Sequence, residues 1–464
     1  MLVLLILIPL VGAFLTNLRK ELGLICCIIA FQLSLYLWLG FDNNELNFQY
    51  RFGDNFGIDG IALYLIVLTC FITILLIIGG ANDNEYIFWI LIAESILIAL
   101  WSVLDILAFY VLYELILIPL YFIIKMSVQA YPYRMMKINR AINKLMGYTL
   151  FGSFMMFIAI ILLYKNVGTT NYETIMNSDF EENSIIRIIW FCFFLGFAVK
   201  VPIIPLHVWL PEAHSEAPTG GSMLLAGVIL KMGSFGMIRY LIMLWPETTF
   251  FFKDYINVIF VISILYSSIT ILRQVEVKKL IAYSSISHMN LSLLGLFSGQ
   301  FDAILGGYLI MINHGIVSAA LFYCAGVLFS RYSLRAIKYY RGLLSSMPIF
   351  GVLFFLFNMI NIGFPPFGNF ISELLIFMGC FKSGIIFSLF ASISIMLSGV
   401  YGIWFITRIL YGRVKPNLGS IVVSNDVTRK EAYILGLLLI ISLLLGLYPK
   451  ILFEGLNLPI SLMI

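Results

Sequence analysis

Residues 200–218 read Lys200-Val-Pro-Ile-Ile-Pro-Leu-His207-Val-Trp-Leu-Pro-Glu212-Ala-His214-Ser-Glu-Ala-Pro218. Four prolines fall within these nineteen residues, and each lacks the N–H that a helical ladder requires. Upstream, Ile188 to Val199 carries no charge. Lys200 is therefore twelve apolar residues from Arg187 and eleven residues from Glu212, too deep to snorkel comfortably to either surface of a bilayer. A central charge costs roughly 2.5–3.5 kcal/mol to insert, and backbone freed at that depth must be buried in protein or face a water-filled cavity. A broken helix beside a buried cation points to an ion pathway.

Composition places that stretch in a membrane. Of 464 residues, 61% are hydrophobic and only 11% charged, and mean hydropathy is +1.02, where a soluble domain carries roughly 25% charged residues. Polar residues gather in short connections between apolar runs long enough to span a bilayer. The chain reads as an all-α polytopic membrane protein of about fourteen transmembrane helices, near residues 2–16, 22–40, 58–80, 86–104, 106–124, 142–164, 186–210, 217–240, 255–272, 279–298, 302–329, 346–381, 384–410 and 432–448.

The net charge of +4 is spread over many loops, which argues against a nucleic-acid partner. Six cysteines at 26, 27, 70, 192, 324 and 380 form no CxxC, and no histidine stands at metal-ligand spacing. No metal or cluster is expected on this chain, and without a strand leading into GxGxxG, no nicotinamide or flavin site either. The first apolar run starts at Leu2 with no basic, Ser-rich leader, so no cleavable presequence is expected.

Orientation follows from the basic residues. Connections after odd-numbered helices hold most of them, among them Arg19, Lys20, Lys125, Arg134, Arg140, Lys144, Lys278, Lys279, Arg331, Arg335 and Arg429. Connections after even-numbered helices hold few, and also the acidic group Glu173, Asp179, Glu181 and Glu182. That asymmetry supports an even count with both termini opposite the basic loops.

A second interruption is legible at Gly363-Phe-Pro-Pro-Phe-Gly368. It lies within forty residues, Gly342 to Phe381, whose one charge is Glu373, and a straight helix of that length would run about 60 Å, twice the hydrocarbon thickness. The breaks fall in helices 7 and 12. That spacing suits two inverted five-helix repeats, helices 4–8 and 9–13, giving N-terminal helices over 1–85, a first repeat over 86–245, a second over 250–412, and a C-terminal helix and tail over 413–464.

Four ionisable side chains then stand out: Glu114, Lys200, Lys231 and Glu373. Glu114 is the ninth of nineteen residues between Asp105 and Lys125; a static role would be served by Gln without the risk of ionisation. Lys200 and Glu114 are expected to form a switchable ion pair, the static pair being the plain alternative. Lys231 sits eight residues before Arg239 among Ala226, Gly227, Gly233, Ser234 and Gly236, a pattern of close helix packing with room for water. The histidines are His207, His214, His288 and His314. His288 and His314, with Ser and Asn beside them, are candidate proton relays; His207 and His214 could equally pin the proline-rich break.

Several of these strings carry a resemblance. Phe197-Ala-Val-Lys200-Val-Pro, Pro205-Leu-His207-Val-Trp-Leu-Pro211-Glu-Ala-His214-Ser-Glu-Ala-Pro218-Thr-Gly-Gly-Ser222 and Leu230-Lys231-Met-Gly-Ser-Phe-Gly236 closely resemble the antiporter-like subunits of respiratory complex I. Ala282-Tyr-Ser-Ser-Ile-Ser-His288-Met, Asn313-His314-Gly and Tyr113-Glu114-Leu-Ile-Leu-Ile-Pro119 support it over nearly the whole chain. In that family most members carry Lys at the last ionisable position; Glu373 points to the subunit type with Glu, and no long extension after residue 448 argues against the type that ends in a lateral helix.

The resemblance implies a proton-translocating membrane-arm subunit of NADH:ubiquinone oxidoreductase. Its fold would have fourteen helices with the seventh and twelfth broken. NAD, FMN, iron-sulfur clusters and ubiquinone would be held by other subunits. Expected partners are membrane-arm subunits of the subunit 2 and subunit 5 types, accessory subunits and phospholipids. The expected location is the mitochondrial inner membrane with basic loops on the matrix side, or a bacterial cytoplasmic membrane. On this expectation Glu114 opens from Lys200, and the proton passes along Lys231, His288 and His314 toward Glu373. The alternatives are a subunit of a multi-subunit Na⁺/proton antiporter, and a membrane scaffold subunit whose ionisable residues form static pairs.

Overall fold

The computed structural model describes residues 1–45, 47–80, 83–130, 132–178, 184–413, 426–461 and 463. Asp179, Glu181 and Glu182 of the acidic connection lie outside them. The chain opens with α1 (Leu2–Leu15) and α2 (Lys20–Leu39), then a short antiparallel hairpin, β1 (Gln49–Phe52) and β2 (Phe56–Ile58). The hairpin was not expected where the hydropathy pattern shows only a connection.

Next come α3 (Gly60–Gly80), α4 (Asn84–Ser102), α5 (Ile106–Leu115), α6 (Leu117–Ala130), α7 (Met135–Val167), α8 (Tyr172–Met176), α9 (Ser184–Lys200), α10 (Trp209–Glu216), α11 (Thr219–Leu224), α12 (Leu230–Met237) and α13 (Pro246–Ile271). The rest is α14 (Val277–Leu296), α15 (Phe301–Tyr332), α16 (Leu343–Ser346), α17 (Pro348–Ile362), α18 (Gly368–Ser383), α19 (Ile385–Leu410), α20 (Arg429–Leu447) and α21 (Lys450–Ser461). Among the described residues ten spans are long and apolar enough to cross a membrane, and α1 and α17 are shorter apolar helices. The chain is a multi-pass membrane protein, and apart from the hairpin the regular elements of the described residues are helical.

Both interruptions legible in the sequence are present. α9 stops at Lys200 and helix resumes at Trp209. α17 ends at Ile362, Gly363 takes a left-handed φ of +85°, and α18 starts at Gly368.

The helix expected over 106–124 is present as the span Ile106–Val128, with one residue, Ile116, departing from regular α-helix between the end of α5 at Leu115 and the start of α6 at Leu117. Pro119 supplies the reason. Its ring crowds the carbonyl four residues back, that of Leu115, and it has no N–H to offer that oxygen. The eighth predicted helix is likewise uneven, since wider π turns over Leu225–Ile229 and Ile238–Ile242 flank α12. Such turns concentrate at functional sites, and Lys231 is the second residue after one.

The residues fall into two compact units. The first comprises Met1–Trp209, Val228–Ile256 and Leu452–Ile464; the second comprises Leu210–Gly227 and Asn257–Ile451. In the first, α7 and α9 meet backbone to backbone at Gly152 and Gly196. A Cβ on Gly152 would lie 3.2 Å from the Gly196 carbonyl, and one on Gly196 would lie 3.1 Å from that of Gly152. In the second, α15 is buried almost throughout and packs against α14 and α18.

Candidate functional site

In the first unit the irregular turn that follows Glu114 organises the site. Within a regular α-helix the N–H of Leu117 would bond to the Tyr113 carbonyl; where α5 gives way to α6, that oxygen accepts a hydrogen bond from Lys200 Nζ at 2.8 Å. The same Nζ lies 4.0 Å from the centre of the Tyr113 ring. At its other end Tyr113 donates its hydroxyl to the Gly196 carbonyl at 3.1 Å, one turn before Lys200. Tyr113 thus ties α5 to α9 twice.

Glu114, half-buried, lies beside Ser153 and within electrostatic reach of Lys200, but the two do not come to ion-pair distance. The arrangement is open, one of the two states of the switchable pair expected from the sequence, with the amine held by the Tyr113 carbonyl. Lys200 is 2% exposed and Lys231 fully buried. Around Lys231 the small residues admit close neighbours: a Cβ on Gly233 would meet Val201 and the Phe197 carbonyl.

The proline-rich turn is stitched from within. The carbonyl of Val199, left over where α9 ends, accepts the Trp209 indole N–H at 2.9 Å, so this freed backbone group is satisfied by protein. His207 is buried in the turn.

In the second unit His214 on α10 is fully buried, its ring stacked on Phe322 at 4.4 Å. The end of α10 is held by two cations that the sequence suggested only as markers of topology. Arg335 donates to the Ser215 carbonyl at 2.7 Å and pairs with Glu216 at 3.2 Å, and Lys278 donates to the Ala217 carbonyl at 2.7 Å. Positive charge there complements the negative end of the helix dipole.

The second interruption builds the other half of the candidate set. His288 Nδ1 lies 3.5 Å from Glu373 Oε1, and the His288 and His314 rings are 5.8 Å apart. Gly363 is where the break admits the carboxylate, because a Cβ there would sit 2.5 Å from Glu373 Oε2. Beside His314, Asn313 donates to Ser372 Oγ at 2.9 Å. The fold brings His288, His314 and Glu373 together at the break in the twelfth predicted helix.

Two charged positions escaped the sequence reading. Glu94 on α4 is fully buried, with the Cys27 thiol donating to it at 3.0 Å. An acid inside the apolar run 86–104 meets the same criterion that singled out Glu114, so the signal was available. Arg239 forms a buried ion pair with Asp59 at 2.6 Å, with the Phe235 and Phe48 rings at 4.6 and 5.3 Å. Nothing in sequence spacing links those two.

A membrane fold with ionisable side chains buried at helix interruptions is the architecture of an ion-translocating family. Residues 103–398 match the model of the family described as NADH:quinone oxidoreductase/Mrp antiporter, TM, and the chain belongs to that family. Its relatives include the NADH-ubiquinone oxidoreductase chain 4 of Chondrus crispus, 40% identical over 95% of this chain and 93% of the relative. That of Marchantia polymorpha is 37% identical over 98% and 95%. Among solved structures, a chain of respiratory complex I from Thermus thermophilus with bound NADH superposes with a TM-score of 0.90 at 26% identity, covering 100% of this chain and 99% of that one. A chain of the Mrp complex from Dietzia sp. DQ12-45-1b shares the fold, with a TM-score of 0.88 at 17% identity over 99% and 96%.

Proposed function

We propose that this chain is a proton-translocating membrane-arm subunit, of the subunit 4 type, of an NADH:ubiquinone oxidoreductase. The observation that carries the reading is the burial of Lys200 and Glu373 at two helix interruptions, Glu373 in contact with the His288 imidazole and Lys200 within electrostatic reach of the Glu114 carboxyl, groups that can take or return a proton. Lys200 can hold a proton against the Tyr113 carbonyl or give it up when Glu114 moves. Glu373 can exchange one with His288.

On this reading electron transfer occurs in other subunits, which hold NAD, FMN, iron-sulfur clusters and ubiquinone, and this chain moves protons only. The order expected from sequence, Glu114 and Lys200 first, then Lys231, His288, His314 and Glu373, is retained as part of the proposal. So are neighbours of the subunit 2 and subunit 5 types and a mitochondrial inner-membrane location with the basic loops in the matrix.

The test is proton pumping and NADH:quinone turnover in the native assembly carrying Glu114→Gln, with assembly size checked on a native gel. Loss of both activities at normal size is expected. Full pumping would overturn the Glu114 role, and purification of the chain with antiporter subunits and no NADH-oxidising ones would turn the reading to a cation/proton antiporter.

A further inference from the structure

α7 is 33 residues long, about 50 Å at 1.5 Å per residue, well beyond the hydrocarbon thickness of roughly 30 Å. From Lys144 to Lys165 the rise is about 32 Å, so these two lysines mark opposite interfaces. Everything before Lys144 stands at headgroup level, on the side of the basic loops. There the helix borders an open cavity of about 840 Å³ whose lining includes Arg140, Asn143, Lys144, Tyr148, Phe151 and Leu206.

Arg140, Lys144, Gly147 and Phe151 follow one another at intervals of four, three and four residues, and Asn143 stands three after Arg140 and four before Gly147, which lays them along one face of the helix. The headgroup end of that face is cationic and rich in donors. Deeper, Leu150, Phe151, Phe154, Phe157 and Ile161 are exposed, an apolar track that continues into the bilayer level for about 15 Å.

We infer that this cavity binds one anionic phospholipid, its phosphate between Arg140, Lys144 and the Asn143 amide and an acyl chain along Phe151 and Phe154. The guanidinium fork and the amide match phosphate oxygens, and Tyr148 sits at the depth where amphipathic aromatics favour the interface. A soluble anion would use the cations and leave the apolar track uncovered; a lipid uses both. Leu206, from the proline-rich turn that follows Lys200, lines the same cavity, so the lipid would also touch the interrupted helix. The inference rests on the membrane fold and is independent of the proton-transfer reading.

The experiment is native mass spectrometry of the detergent-purified native assembly titrated with phosphatidylglycerol or phosphatidylcholine, comparing wild type, R140Q/K144Q and the control R429Q/K430Q. Two interfacial cations support roughly 30-fold in affinity, so R140Q/K144Q should bind one phosphatidylglycerol about 30-fold more weakly than wild type. Phosphatidylcholine binding and the control should be unchanged. Equal phosphatidylglycerol binding in both variants, or displacement of the lipid by inorganic phosphate alone, would overturn the site. If R140Q/K144Q fails to assemble, photo-crosslinkable phosphatidylglycerol on the wild type decides: labels within residues 140–157 support the site, and labels elsewhere only refute it.

Discussion

His288 Nδ1 lies 3.5 Å from Glu373 Oε1, both side chains almost wholly buried. The first sits mid-way along an unbroken helix and the second one turn beyond a broken one. The contact exists because the chain reverses out of helix at Gly363, where the carboxylate occupies the space a side chain would need. A neutral pair and an ionised pair both fit this geometry, which is what a proton relay requires.

Glu373→Gln keeps the volume and the acceptor toward His288 but cannot ionise. The assembly should form in normal amount, with fewer protons translocated per NADH oxidised than in the wild type, read by acidification in inverted vesicles against NADH consumption. An unchanged ratio would remove Glu373 from the path.

Because the Lys200 amine bonds to a main-chain carbonyl and not to Glu114, Lys200→Met leaves one buried acceptor unsatisfied, a loss of about 1–3 kcal/mol. Breaking a tight buried ion pair would cost about 3–5 kcal/mol. Thermal unfolding of the assembly should show the smaller loss, while turnover coupled to pumping drops about tenfold or more. Collapse of assembly with Lys200→Met, reversed by adding Glu114→Gln, would instead indicate a closed ion pair.

Gly363→Ala places a methyl group in the left-handed region and against Glu373 Oε2. The conformational part alone costs about 1 kcal/mol, and displacement of the carboxylate should lower pumping as well. Gly399→Ala, with no atom within 4 Å of its new Cβ, should be neutral or stabilise α19 by about 0.5–1 kcal/mol. Parallel melting curves of the two variants check the contrast.

At the Asp59 and Arg239 pair, Asp59→Leu strands a guanidinium that is 1% exposed. A loss of about 3–5 kcal/mol is expected, seen as reduced yield of the native assembly. Combining it with Arg239→Met should recover the yield apart from the cap that Asp59 gives the Ala62 N–H; failure to recover beyond the level of Arg239→Met with Asp59→Asn would mean that Arg239 is needed for more than this pair.

Much of the architecture is legible in the chain itself. Prolines at 202, 205, 365 and 366 announce where helices stop, since a residue without an N–H disrupts the ladder wherever it lies. Pro119 disturbs the ladder only at Ile116 and leaves the apolar span Ile106–Val128 intact. Glu94 was equally visible, an acid between apolar neighbours. The β1–β2 hairpin was not, being seven residues of strand with no alternation that sets it apart from a loop.

By itself the sequence determined that this is a multi-pass membrane protein, where its helices break, and which charges lie at membrane depth, because each depends on local chemistry: hydropathy, a missing N–H, the cost of an isolated charge. Tertiary structure alone decided what those charges touch. Lys200 finds the carbonyl of Tyr113, Lys278 and Arg335 find the end of α10, and His288 finds Glu373, each across helices distant in the chain. Partners of that kind are fixed by how helix faces pack, and a helix offers several faces of nearly equal hydropathy.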